Sequence, residues 1–234
     1  MRAEAISTAM TSQKVNSGKG LPRWSEATVA VLALMLAAPV IVLAALAILL
    51  TSGLPVIFRQ RRVGQHGCTF ELYKFRTMRT AVGGLQITSS KDERVTRVGR
   101  FLRRTKLDEL PTFWNVLRGE VSLVGPRPEV PRFVRLDDPI WQRVLAVRPG
   151  LTDPVTLRLR NEGDLLSQVA TDMEQYYVNE LQPAKLKGYV AYLQNRDWRS
   201  DIGVLLKTIA AIVTSPKTTE LSINDVTRTA QAKE

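Results

Sequence analysis

A chain of 234 residues, 44% hydrophobic and 6% aromatic, has room for one substantial core plus an appendage, which argues against two catalytic domains. Its 33 Lys and Arg against 22 acids give a formal charge of +11, so partners are expected among polyanions: nucleic acid, anionic lipid or phosphorylated substrates. The single cysteine, Cys68, and single histidine, His66, argue against an internal disulfide, a zinc or haem site and histidine-based catalysis, and both read as turn or strand filler.

Residues 1–24 are polar and aperiodic and are expected to be disordered, as is the Thr-, Ser- and Lys-rich tail 214–234. Residues 25–52 are expected to form a membrane helix. Within them, 29–50 is a run of 22 residues without a charged side chain, roughly 33 Å as a helix and enough for a bilayer core of about 30 Å. A cleavable signal peptide fits poorly, because its apolar region is shorter and follows a short basic head.

Pro39 stands mid-run and removes a backbone hydrogen bond, so a bend is expected there. Flanking charges give no orientation: Lys14, Lys19 and Arg23 precede the run, and Arg59, Arg61 and Arg62 follow it. That tie favours a re-entrant hairpin with both ends in the cytoplasm, broken at Ala38 and Pro39, over a kinked spanning helix.

The catalytic domain is expected over 53–213, an α+β fold that is mostly helical. Residues 55–60 and 68–78 alternate like strands around Gly64-Gln65-His66-Gly67 and predict a β-hairpin. A basic helix is expected over 95–104, then another over 107–119, whose Leu110, Phe113, Trp114 and Leu117 form a stripe facing a core. Asp108 is placed at its N-cap and Gly119 at its C-terminal stop. Residues 148–152 read as a turn and 172–193 as a helix. The last helix, 200–213, carries an apolar face of Ile202, Leu205, Leu206, Ile209, Ile212 and Val213. It either packs on the domain, the favoured reading, or lies at a lipid interface.

Between Arg97 and Pro128 the chain gathers seven basic side chains, the adjacent carboxylates Asp108 and Glu109, and the rigid run Val124-Gly125-Pro126-Arg127-Pro128. A carboxylate attacks phosphorus only if its charge and the substrate's are offset, so acids set among arginines suit phosphoryl transfer. The plainer alternative is that Asp108 and Glu109 merely cap a helix.

Taken together, the Pro-interrupted apolar run, Tyr-Lys-Phe-Arg-Thr-Met at 73–78, Leu-Asp-Glu-Leu-Pro at 107–111, Val-Gly-Pro-Arg-Pro at 124–128 and Arg-Pro-Gly-Leu-Thr at 148–152 closely resemble the bacterial sugar transferases. These are the monotopic phosphoglycosyl transferases that start glycan assembly on polyprenyl phosphate. The resemblance covers residues 25–213 and points to a short member of the family.

It implies that Asp108 attacks the sugar-linked phosphorus of a UDP-sugar, releases UMP and passes the phosphosugar to polyprenyl phosphate, with Glu109 as catalytic partner. It implies Mg²⁺ as cofactor, held by Asp108 and Glu109. It also implies phosphate contacts for Arg103 and Arg127, and more weakly for Arg148. Lys74 and Arg76 stand between phosphate contact and a solvated strand face. The implied place is the cytoplasmic face of the bacterial inner membrane, with membrane lipid but no nucleic acid as partner.

The chain departs from the family pattern twice. Ala38 stands where a serine commonly precedes the membrane proline. After residue 152 it reads Asp153-Pro154-Val155-Thr156-Leu157-Arg158-Leu159-Arg160-Asn161-Glu162, so sugar identity does not carry over. Two rival readings are a membrane-bound glycosyltransferase that releases UDP, and a non-catalytic, membrane-tethered basic protein.

Overall fold

The computed structural model describes residues 20–79, 92–159, 162–169 and 172–214. The segments 1–19 and 215–234, expected from composition to lack fixed structure, lie outside the described residues.

Helix α1 spans Arg23–Ser52, 30 residues rich in Ala and Leu. Glu26 in its first turn complements the amino-terminal dipole, and Gly53, at φ 72°, ends it in a conformation that favours glycine. The helix continues through Ala38 and Pro39 as one element. Its packing is uneven along its length. Ala30 shares a core with Val116, Val121 and Leu123, and Ala44 and Ile48 share another with Phe75 and Leu102. Between these anchor points Met35, Leu36, Val42 and Leu43 are each more than half exposed. Both end regions of α1 therefore rest on the same domain.

Strands β1 (Ile57–Val63) and β2 (Thr69–Phe75) form the expected antiparallel hairpin, in register from Val63 opposite Thr69 to Ile57 opposite Phe75. Helix α2 (Arg97–Arg104) begins where the Thr96 hydroxyl accepts the Gly99 N–H at 2.9 Å. A Cβ on Gly99 would lie 2.0 Å from the Thr77 carbonyl oxygen, so glycine is what lets α2 meet the chain just after β2.

The single helix expected over 107–119 is instead a 3₁₀ turn, Leu107–Glu109, followed by α3, Thr112–Arg118. Pro111 supplies the reason: it has no N–H for the Leu107 carbonyl, which takes the Leu110 N–H at 3.2 Å instead. Asp108 is thus not an N-cap but sits inside the 3₁₀ turn, entered through Lys106 at φ 59°. Gly119 does end α3, at φ 78°. Of the expected stripe Leu110, Phe113 and Leu117 pack against the cores and Trp114 does not. Thr112, Asn115 and Val116 are buried, whereas Trp114 is 53% exposed.

Residues 148–152 are not a simple turn. Strand β3 (Ser122–Val124) pairs in parallel with β4 (Gly150–Thr152), Ser122 opposite Gly150 and Val124 opposite Thr152. The two motif glycines meet there: a Cβ on Gly150 would lie 2.1 Å from the Gly125 nitrogen. The connection between the strands carries α4 (Pro139–Val144).

Beyond β4 come α5 (Pro154–Arg158), α6 (Glu162–Ser167) and α7 (Met173–Tyr176). The last runs through a π-type turn, Tyr177–Leu181, into α8 (Gln182–Gln194), which fulfils the helix expected over 172–193. Phe133, Trp141, Leu166, Tyr177 and Tyr189 belong to the core of this half.

Helix α9 (Trp198–Val213) is capped by Asp197 and Ser200. It rests on the domain through Val204 and Leu205 and through Thr208, whose hydroxyl lies 2.9 Å from that of Thr152. Its apolar face is not covered as expected, since Leu206, Ile209 and Val213 are each more than half exposed.

Candidate active site

Helix α3 is strapped to β2 beside the acid pair. The buried Asn115 side chain accepts the Tyr73 N–H at 3.0 Å and donates to the Glu71 carbonyl at 2.6 Å, while the Thr112 hydroxyl donates to the Tyr73 carbonyl at 2.8 Å. These contacts fix the 3₁₀ turn against the strand that carries Lys74. Asn115 gave no signal in the sequence beyond its place between apolar neighbours.

Within this frame one Glu109 oxygen, Oε1, receives two cations, Lys74 Nζ at 2.7 Å and Arg127 Nη2 at 2.6 Å. Arg127 reaches it from the loop after β3, where Pro126 and Pro128 restrict the backbone. Asp108, 8% exposed, differs: its Oδ1 is buried with no hydrogen-bond partner. Arg103 donates from Nε to the Thr77 hydroxyl at 2.8 Å and contributes positive charge near Asp108.

The electrostatics separate the two neighbours. Burial, and after it the adjacent Glu109 carboxylate, push the Asp108 carboxyl above the usual aspartate range, against the pull of Lys74, Lys106 and Arg103. Burial acts to raise Glu109 as well, but Arg127, Lys74 and Lys106 outweigh it and hold that carboxyl well below the usual range. Glu109 is a fixed, compensated anion, while Asp108 is the more basic carboxylate and has an oxygen that no protein group engages. Burial lowers Lys74 to about 8, despite its carboxylate partner.

Not every basic residue singled out in the sequence points the same way. Lys74, Arg76, Arg103, Arg127, Asp108 and Glu109 all line one cavity of about 600 Å³. Arg76, however, spends its guanidinium on the end of α1, with Nη1 donating to the Leu54 carbonyl at 2.8 Å and Nη2 to those of Ser52 and Gly53. It neutralises a helix C-terminus. Arg148 is not among the residues that line the cavity; its Nη2 lies 2.9 Å from Oε2 of the fully buried Glu26 in α1, which also accepts from the Ser122 hydroxyl and the Leu123 N–H. Glu26 was missed in the sequence, where a lone acid at the head of an apolar run looks like a helix-dipole partner.

Among the described residues no group of three or more His, Cys, Asp and Glu side chains is arranged to hold a metal. Mg²⁺ does not need one, because one or two carboxylates with substrate phosphates and water suffice. The unbonded Asp108 Oδ1 beside Glu109 fits that requirement.

The chain is 35% identical over 196 residues to the UDP-glucose:undecaprenyl-phosphate glucose-1-phosphate transferase of Caulobacter vibrioides, covering 81% of this chain and 68% of that protein. It is 34% identical over 199 residues to the UDP-N-acetylgalactosamine-undecaprenyl-phosphate N-acetylgalactosaminephosphotransferase of Aeromonas hydrophila, covering 83% of this chain but 44% of that one. Against the exopolysaccharide production protein ExoY of Sinorhizobium fredii, identity is 32% over 207 residues, with 81% and 84% covered. The chain thus spans less than half of the Aeromonas relative. A bacterial sugar transferase family model matches residues 18–215, which contain α1, the acid pair and strands β3 and β4, and the chain belongs to that family.

Proposed function

We propose that this protein moves a sugar 1-phosphate from a UDP-sugar to undecaprenyl or another polyprenyl phosphate, through a phosphosugar held covalently on Asp108, as the first membrane step of an exopolysaccharide, capsule, O-antigen or glycoprotein glycan. The observation that carries the reading is the asymmetry of the acid pair: Glu109 is bound by two cations, and Asp108 keeps a free, unusually basic oxygen. The names of the Caulobacter and Aeromonas relatives, which specify UDP-sugar donors and an undecaprenyl phosphate acceptor, support the substrate classes.

An Asp108 oxygen forms a bond to the sugar-linked phosphorus as the bond from that phosphorus to the bridging oxygen breaks, and UMP leaves with the electron pair. The acyl phosphate is then attacked by a phosphate oxygen of the lipid acceptor, which restores the Asp108 carboxylate and yields a polyprenyl-diphosphate sugar. Arg127 and Lys74 keep Glu109 anionic without letting its charge repel the donor, and Arg103 supplies positive charge on the other side of Asp108. Asp108 and Glu109 would hold Mg²⁺, which when bound draws charge from the phosphates.

Helix α1 supports placement at a membrane. It is the one described helix long and apolar enough to cross a bilayer, yet both its end regions pack on one domain. A straight helix of this length, about 45 Å, would carry its far end through the bilayer and away from that domain. A re-entrant insertion, with the catalytic domain on the cytoplasmic face of the inner membrane and the open apolar face of α9 against lipid, reconciles the two facts. There a soluble donor and a membrane-borne phosphate reach the same aspartate.

The test is the nucleotide product. Purified protein with UDP-sugar and polyprenyl phosphate is expected to release UMP; release of UDP in its place would mean transfer of the bare sugar and overturn the reading.

A further inference from the structure

In the cavity that holds the acid pair, α6 and α8 bring together polar side chains that the phosphoryl chemistry does not use. Lys185 Nζ lies 3.1 and 3.2 Å from the two oxygens of Glu162, and 5.2 Å from the centre of the Tyr177 ring. The Tyr189 hydroxyl, one helical turn beyond Lys185, is buried and has no hydrogen-bond partner. All of these residues line the same cavity as Asp108 and Glu109. A largely buried ion pair adds little to stability over apolar side chains of similar volume, so its presence in a cavity wall calls for another use.

Two observations say what that use is. Arg127, which grips Glu109, lines the same cavity as Glu162 and Tyr189, so this cluster shares the space of the phosphate centre. In a UDP-sugar the attacked phosphorus carries the sugar directly, with the uridine one phosphate farther away. Polar groups next to the phosphate centre but outside it therefore meet the sugar. Second, the wall includes Thr156, Leu159 and Glu162, from the stretch where the sequence leaves the family pattern. Asp153, fully buried, fixes that stretch by accepting the N–H groups of Val155 and Thr156 at 2.7 and 2.8 Å.

We propose that Glu162, Lys185 and the Tyr189 hydroxyl form the subsite that reads the hydroxyl or acetamido substituents of the donor's sugar. The assignment rests on the UDP-sugar reading above. A carboxylate, an ammonium group and a phenol offer acceptor and donor sites together, and a site built to hydrogen-bond a hydroxyl discriminates against analogues that misplace it.

The test is the ratio of kcat/KM, read as UMP release, among UDP-glucose, UDP-galactose and their 2-acetamido counterparts. Tyr189→Phe removes a hydroxyl with no protein partner and so leaves the fold intact; Glu162→Gln keeps the shape and removes the charge. Each is expected to reduce the wild-type preference by about fivefold or more, while inhibition by UMP, which lacks the sugar, stays within about twofold. Unchanged preference in both variants, or UMP inhibition that weakens in step with the donor, overturns the subsite and leaves the transferase reading standing. Wild-type protein that releases no UMP from any of the four donors overturns both.

Discussion

On one wall of the cavity Lys74, Arg103 and Arg127 arrive from three separate elements and converge on two adjacent carboxylates, whereas on another Glu162 from α6 and Lys185 from α8 pair with each other, and the Tyr177 hydroxyl bonds to Glu129. On the proposed function the first wall handles charge that is the same for every donor, the diphosphate, and it is built from recognisable motifs. On the proposed reading the second faces what differs between donors, and its Thr156, Leu159 and Glu162 come from the stretch unlike the family pattern. On that reading fixed chemistry and variable recognition share one space, and each part breaks in its own way.

The largest effect belongs to the first wall. Asp108→Asn is expected to lower turnover by at least about three orders of magnitude, because an amide is no substitute for a carboxylate nucleophile, while the protein still sediments with membranes. Turnover within tenfold of wild type would remove Asp108 from that role. Glu109→Gln should cost about 100-fold in kcat, since Lys74 and Arg127 lose their shared anion and are free to draw the Asp108 charge to themselves. Steady-state kinetics that show a raised KM with unchanged kcat would instead assign Glu109 to donor binding.

A third prediction concerns the support behind the wall. Glu26 ties α1 to β3 and Arg148, so Glu26→Ala should lower the stability of the folded protein by about 2–4 kcal/mol. Thermal unfolding in lipid nanodiscs measures it, and an unchanged midpoint would show that α1 is held by its apolar contacts alone.

The smallest effect is in pH. Lys74, lowered to about 8, is protonated below that value in the folded protein and up to its ordinary value of 10.5 when unfolded. Between these limits the unfolded chain binds more protons, so Lys74's own contribution to stability rises with pH. Activity should move the other way, falling up to tenfold per pH unit above about 8 as Glu109 loses one of its two cations. In Lys74→Arg, which stays charged, the alkaline limb is expected to move upward, and an unmoved limb would assign it to another group.

Sequence reached the features that local rules determine. The hairpin followed from alternation around Gly64 and Gly67, the end of α3 from Gly119, and the helix over 172–193 from its length and period. It failed where a partner is distant or a local rule is overridden. The pairing of β3 with β4 joins strands of three residues each, too short for a periodic signal. Arg148 looked like a phosphate ligand because its partner, Glu26, lies 122 positions away. Asp108 looks like an N-cap by local rules, but the missing N–H of Pro111 makes the turn that holds it 3₁₀. The stripe in α9 was identified correctly, but an apolar face does not say whether protein or lipid covers it. The acid pair itself was legible, and the family resemblance distinguished the roles of its members; the residues alone do not say which of the two carboxylates is free of protein partners.

That separation is tested most directly by intact-protein and peptide mass spectrometry of enzyme quenched after incubation with UDP-sugar and no lipid acceptor. The expected result is a mass increase equal to one sugar phosphate, on the peptide containing Asp108, that disappears when polyprenyl phosphate is added. An adduct on Glu109, or UMP formed only when the acceptor is present and with no adduct at any stage, would contradict it.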